Sequence, residues 1–352
     1  MINSLALGFR ILGLRLDLLI IPVFLSLAAL YWPPADISLL FADLQAIFAE
    51  TQDAALGQAS DADLSATDTP TPFAPEALLE SLNGSSLPLG QLLVNRTFLR
   101  VPGLVMALPL EQLLTDWSPS LSSVGDVLLV LAAFSAAGVV MGTLYQWQLA
   151  RTVDAALRAW TERDASDTDE TVAPDPWEAF WFRARQTGLY LVLLVVLVTV
   201  LSFAVSLLMA ALALVMPGAV LPLMGLYMLF LLMALPVFLF LQTYIIPGIL
   251  LDSLKVVAAA RQSVALIRNN VVSTLAFLLL SGFILFGIEE ALGSINTSIN
   301  TGFNPVILLL SSMSFAYVGT GTALAFLVFY RSRCLMSDGV DIIAWFKSME
   351  PE

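Results

Sequence analysis

Histidine is absent from the 352 residues of this chain, and cysteine occurs once, as Cys334. Without His there is no His-ligated haem or zinc site and no Ser-His or Cys-His nucleophile pair. A single Cys cannot form an intramolecular disulfide. Charge is also scarce. Only 12% of residues are charged, half of the roughly 25% usual in soluble globular chains. Long apolar runs fill the space: 59% of the chain is hydrophobic and the mean hydropathy is +0.88. A helix needs about 20 predominantly apolar residues to cross the hydrocarbon core of a bilayer. The composition therefore points to an all-α polytopic membrane protein. No nucleotide or metal motif is present, no cofactor is implied and nothing indicates nucleic acid as a partner.

Six apolar runs read as spans, at about 10–32, 124–147, 187–216, 220–248, 271–292 and 305–330. The first is imperfect, because Arg15 and Asp17 sit in its lower half. It reads either as a cleaved signal peptide or as a retained helix; the long lead-in and the interfacial pair Tyr31-Trp32 favour retention. Of the 15 Lys and Arg, 13 fall on alternating connections, and the others are Arg96 and Arg100 in the first long loop. Positive charge accumulates on the cytoplasmic side, so both termini are expected there, in the cell membrane.

The connection "LDSLKVVAAARQSVALIRNN", 251–270, concentrates Lys255, Arg261 and Arg268. Its spacing predicts an interfacial helix over 252–270, with Leu251, Leu254, Val257, Ala258, Ala265 and Leu266 on an apolar side and Asp252 or Ser253 as N-cap. The three cations would then reach for lipid headgroups, as would Arg183 and Arg185 before the third span. A solvated turn that merely obeys the charge rule is the alternative. Basic segments ahead of spans one, three and five also hint at three hairpins, with too little identity to make a repeat.

The order "IIPGILLDSLKVVAAARQSVALIRNNVVSTLAFLLL" resembles a loose group of bacterial multi-pass proteins. These include the membrane domain of some glycerophosphodiester phosphodiesterases and uncharacterised stand-alone members. Pro247, Ala258 to Ala260, Ser263, Arg268 and Asn269 carry the likeness, together with Pro22 in "LDLLIIPVFLSL". It covers about a third of the chain. It implies a six-helix membrane fold and brings no catalytic residues, since no phosphodiesterase domain is attached.

The chain departs from that group in a long extracytoplasmic insertion, 33–122, with 11 acidic residues and two Arg. "DISLLFADLQAIFAE" predicts an amphipathic helix capped by Asp36, and the polar stretch after it reads as a linker. The insertion can cap the bundle, dock on another membrane protein or lie on the outer leaflet. In the cytoplasmic loop 149–186, an amphipathic extension of span two precedes an acidic segment, and the tail "VDIIAWFKSM" predicts a further interfacial helix.

Ionisable groups at membrane depth are the default functional candidates. Glu289 and Glu290 near the end of span five form a candidate ion site, but adjacent helical residues diverge by about 100°. Solvation at a helix end is the plainer explanation. Asp126 and Asp252 read as helix caps, and Asp17 can meet Arg15 only if the chain bends there. Gly138 and Gly142, with Ser314 and Gly321, are candidates for close helix packing within the bundle or between copies; the oligomeric state is open.

Two classes of function fit. One is a non-catalytic membrane component: a scaffold, an accessory subunit or a lipid-organising protein whose partners are membrane lipids. The other is a permease-like transporter of a small solute or lipid, which a water-filled path lined by Ser311, Thr320 or Tyr244 would favour. No carboxylate stands at mid-membrane depth and no catalytic set is visible, which favours the first over the second and makes an enzyme the weakest reading.

Overall fold

The computed structural model describes residues 1–31, 35–36, 86–87, 123–161, 176–215, 240–298 and 305–340, with residues 229, 237 and 345–346. Its helices are α1 (Ile2–Leu14), α2 (Ile20–Tyr31), α3 (Val124–Thr161), α4 (Pro176–Val215), α5 (Ile245–Leu250), α6 (Val256–Ser298) and α7 (Pro305–Ser337). A 3₁₀ turn at Leu16–Leu19 links α1 to α2. The other regular structure among the described residues is a two-residue antiparallel pairing, Ala35–Asp36 with Ser86–Leu87. Four described helices, α3, α4, α6 and α7, are long and apolar enough to cross a membrane, or five such crossings if the bent segment from Ile2 to Ala28 counts as one. The protein is thus helical, with several membrane-spanning candidates.

By compactness the chain divides into two units, Met1–Phe24 with Asn95–Leu104 and Val139–Glu352, and Leu25–Val94 with Val105–Gly138. The second unit contains the 35–36 and 86–87 pairing and the first turns of α3. Asp36, expected as a helix cap, takes part in that pairing opposite Ser86. The rest of the predicted insertion, its amphipathic helix included, lies outside the described residues, as do most of the fourth predicted span and the tail.

The first unit corrects the opening of the chain. The expected continuous helix over 10–32 is broken: Ile2–Leu14 and Leu16–Ala28 meet at 95°. Arg15 leaves the helical conformation at φ −137° and ψ 63°. Its guanidinium donates to both oxygens of Asp17 at 2.9 Å, the meeting that a bend makes possible. Two charges in an apolar run thus satisfy each other at a corner. Both remain more than half exposed, so the pair itself contributes little stability.

Helix α1 turns one side, Ser4, Leu7, Gly8, Ile11 and Leu12, into the structure. That side packs antiparallel along α7. Gly8 lies so close to α7 that a Cβ there would sit 2.4 Å from the Ala325 backbone nitrogen. At Gly321 a Cβ would meet the Phe9 ring at 2.4 Å. Small residues at such crossings let helix backbones approach closely. From Ala323 to Tyr330 every residue of α7 is buried, because α1 and α6 pack along it and Tyr244 lies against Phe326 and Tyr330.

Candidate functional site

The connection from α5 to α6 brings several polar side chains into the packed structure. Helix α5 ends at Leu250, and Ser253 takes a left-handed backbone, φ 54°, that turns the chain toward α6. Neither Asp252 nor Ser253 caps α6, as had been expected. The Val256 amide that opens α6 donates instead to Gln186 Oε1 on α4 at 3.3 Å. The Ser253 hydroxyl accepts from Arg183 Nη2 at 2.9 Å.

Asp252 joins three helices. Its Oδ2 accepts a short hydrogen bond from the Tyr330 hydroxyl and a longer one, 3.4 Å, from Gln262 Nε2. Its Oδ1 accepts from Arg331 Nη1 at 2.9 Å. The carboxylate is 19% exposed and the arginine 38%, so solvent screens part of the attraction. Gly248 passes close above: a Cβ there would stand 3.3 Å from the Tyr330 oxygen. Gln262 also reaches the Cys334 sulfur at 3.6 Å, which accounts for the single thiol, itself buried.

Aromatic rings continue inward from this joint. Tyr244 stacks on Phe326 with centroids 5.9 Å apart, and Phe277 stacks on Phe329 at 4.4 Å. The hydroxyls here are engaged. Tyr244 pairs with Thr274 at 2.8 Å, and Tyr145 donates to Thr320 at 2.9 Å. Ser263 donates to the Leu241 carbonyl at 2.7 Å and accepts from the Tyr244 amide at 3.2 Å. It holds the segment just before α5 against α6. Ser263 and Pro247 both carried the sequence resemblance, and both are buried in this joint.

Helix α6 holds a break that sequence placed only as a boundary. Asn270 has φ −137° and ψ 32°, which separates a connector helix, 256–269, from the apolar run after it. Asn is a favoured residue where a helix begins. Its Nδ2 donates to the Leu266 carbonyl at 3.1 Å, and its own carbonyl accepts from the Ser273 hydroxyl at 3.2 Å. Polar groups opened by the break are satisfied locally.

The connector helix divides the expected apolar side between the interior of the protein and the outside. Val256, Ala259, Ser263, Leu266 and Ile267 are buried, whereas Val257, Ala258 and Ala265 are exposed. The apolar periodicity was ambiguous because Ala and Val occur all around this helix. Tertiary contacts at Ser263 and Gln262 selected the face. Lys255, Arg261 and Arg268 are exposed, and Arg261 and Arg268 share the outer side with Val257, Val264 and Ala265.

The remaining candidates scatter. Arg185 is exposed, while Arg183 is half-buried and spends a donor on Ser253. Gly138 and Gly142 are both buried, but Ser314 is exposed while Gly321 packs under Phe9. Glu290 is exposed and Glu289 partly so. Among the described residues no group of three or more acidic or Cys side chains is arranged to hold a metal. Sequence reasoning missed Asp252 as a joint and Asn270 as a break. The partners of Asp252 stand 78 and 79 residues away, beyond any local pattern. Asn270 did leave a signal, the Asn pair directly before an apolar run.

No family model matches the chain, and neither a curated protein nor a solved structure matches it.

Proposed function

We propose that the protein is a non-catalytic multi-pass component of the cytoplasmic membrane, with six spans and both termini in the cytoplasm, that organises lipids or an assembly through its basic connector. One observation carries the reading. The connector helix buries one side in the bundle and leaves Val257, Val264, Ala265, Arg261 and Arg268 together on the other. Apolar side chains beside long cations suit the boundary between acyl chains and anionic headgroups. The engagement of Tyr244 with Thr274, and of Thr320 with Tyr145, supports this reading over a permease, since these hydroxyls are committed to packing. The 33–122 insertion is the surface offered to another membrane protein on the opposite side. The resemblance to the glycerophosphodiester phosphodiesterase membrane domain fits the same picture.

The decisive test replaces Lys255, Arg261 and Arg268 together by Gln in full-length protein. Each cation near an anionic leaflet contributes about 1 kcal/mol. In anionic vesicles the variant connector should be cut faster by protease than the parent's, and in purely zwitterionic vesicles the two should behave alike. Equal cutting in anionic vesicles would reduce these charges to orientation signals. Orientation has its own test: Ser60→Cys or Ser65→Cys, in a chain lacking Cys334, should react with an impermeant maleimide in intact cells, and Ser166→Cys should not. The opposite pattern would invert the topology.

A further inference from the structure

Helix α4 begins in a cluster of aromatic rings, one buried and two exposed. Phe180 is 3% exposed, while Trp177 and Trp181 beside it are 63% and 58% exposed. Both indoles stand edge-on to the Phe180 ring, with centroids 5.9 Å and 5.3 Å away. Phe180 also meets Trp147 of α3 at 5.4 Å, and the exposed Arg151 guanidinium lies 4.9 Å over the Trp147 ring. Two exposed indoles are thus seated on a packed base.

The two sides of α4 keep this difference over the following turns. Phe180, Thr187, Tyr190, Leu191 and Leu194 are buried, whereas Trp177, Trp181, Arg185, Leu189, Val192 and Val196 are exposed. With about 100° between successive residues, the second set falls on one side of the helix. From its start, that side passes from tryptophan through arginine to aliphatic side chains. The aliphatic part needs hydrocarbon cover, since 17% of the most apolar window is buried within the protein. Indoles and cations collect just outside hydrocarbon, where the ring body stays apolar and its N–H reaches an ester or phosphate oxygen. Helix α3 gives the same level independently. Trp147 closes the apolar run predicted at 124–147, and Phe180 precedes the one predicted at 187–216. Two boundaries read separately from the sequence therefore meet in space.

The opposite side of this segment holds the connector. Arg183 donates to the Ser253 hydroxyl at 2.9 Å, and Gln186 accepts from the Val256 amide at 3.3 Å, where the connector helix begins. We infer that Trp177 and Trp181 engage the glycerol and headgroup region of the cytoplasmic leaflet, and that α4 passes this anchorage to the connector through Arg183 and Gln186. The surface is a second lipid contact of the site proposed above. It rests on that reading for its orientation, with the connector on the cytoplasmic side, but not on charge.

The test uses full-length protein in vesicles of phosphatidylcholine, alone or mixed with phosphatidylglycerol. The emission of Trp177 and Trp181, taken as the difference between the parent and Trp177→Phe with Trp181→Phe, should be quenched by phosphatidylcholine brominated near its headgroup. An unquenched difference would place the indoles clear of the bilayer, open to a protein partner, and overturn the proposal. Trp177→Ser with Trp181→Ser should speed protease cutting of the connector severalfold in both kinds of vesicle, because indole anchorage is uncharged. The triple Gln variant of Lys255, Arg261 and Arg268 should do so only where phosphatidylglycerol is present, so the two readings fail separately. Acceleration by the Ser variant that is absent, or confined to anionic vesicles, overturns the anchorage. Gln186→Leu with Ser253→Ala should speed cutting of the connector and leave the quenching intact. Cutting at the parent's rate in that variant would show that α4 does not hold the connector, and would overturn the coupling.

Discussion

Helices α7 and α4 are both long and apolar enough to cross a membrane, yet α4 is the more apolar and their surroundings are opposite. In α7, 78% of the most apolar window is buried within the protein; in α4 the share is 17%. The difference lies in what each sequence offers a neighbour. Helix α7 alternates small residues with large aromatic ones through "GTGTALAFLVFY", so α1 can press Phe9 onto Gly321 while Phe326 and Phe329 stack inward. Helix α4 carries "LVLLVVLVTVLSF", apolar on every side with few small residues. Residues Val195 to Val198, Val200, Leu201 and Phe203 are exposed. A helix apolar all round needs lipid or protein cover, and hydrocarbon provides it without specific packing. Hydropathy thus identifies a span, whereas the sequence of sizes decides whether it joins the packed part of the bundle.

The contrast is testable by matched truncation. Leu324→Ala in the buried part of α7 should cost about 3 kcal/mol of stability in a denaturation assay, and Leu201→Ala in α4 within about 0.5 kcal/mol. Equal losses would mean that α4 is as tightly packed as α7. A smaller effect is expected at the α1 crossing. Gly8→Leu must push against the Ala325 backbone, with an expected loss of about 2 kcal/mol and easier labelling of Cys placed by Leu7→Cys. If Gly8→Leu is tolerated without loss, the close approach of the two helices is not needed. The smallest effect belongs to single hydroxyls. Tyr244→Phe and Thr274→Val should each cost about 1 kcal/mol, and the double variant less than their sum. Strict additivity would show that the pair does not interact.

Part of this is legible in the sequence. Spans two, three and six appear as helices close to their predicted positions, and the amphipathic extension 149–160 continues α3 without a break, because apolar runs of that length have no alternative in a bilayer. The connector at 252–270 was visible as a cluster of scarce cations. Its buried face was not, since alanines and valines around the helix gave no decisive side. The corner at Arg15 was visible only as an awkward pair of charges. Its cause is geometric: the bend lets one guanidinium take both oxygens of Asp17, and it frees α1 to lie along α7.

The sequence by itself determined solvent preference. The shortage of charge and the long apolar runs establish a helical chain with several helices long and apolar enough to span a membrane, where backbone groups must be satisfied within the segment. Tertiary structure decided which residues are joints. Asp252 meets Tyr330 and Arg331 across nearly eighty residues, and Ser263 holds the end of α5's approach. None of these pairings is periodic. They depend on how closely helices approach, which is set by residue size at the crossing and not by hydropathy along the chain.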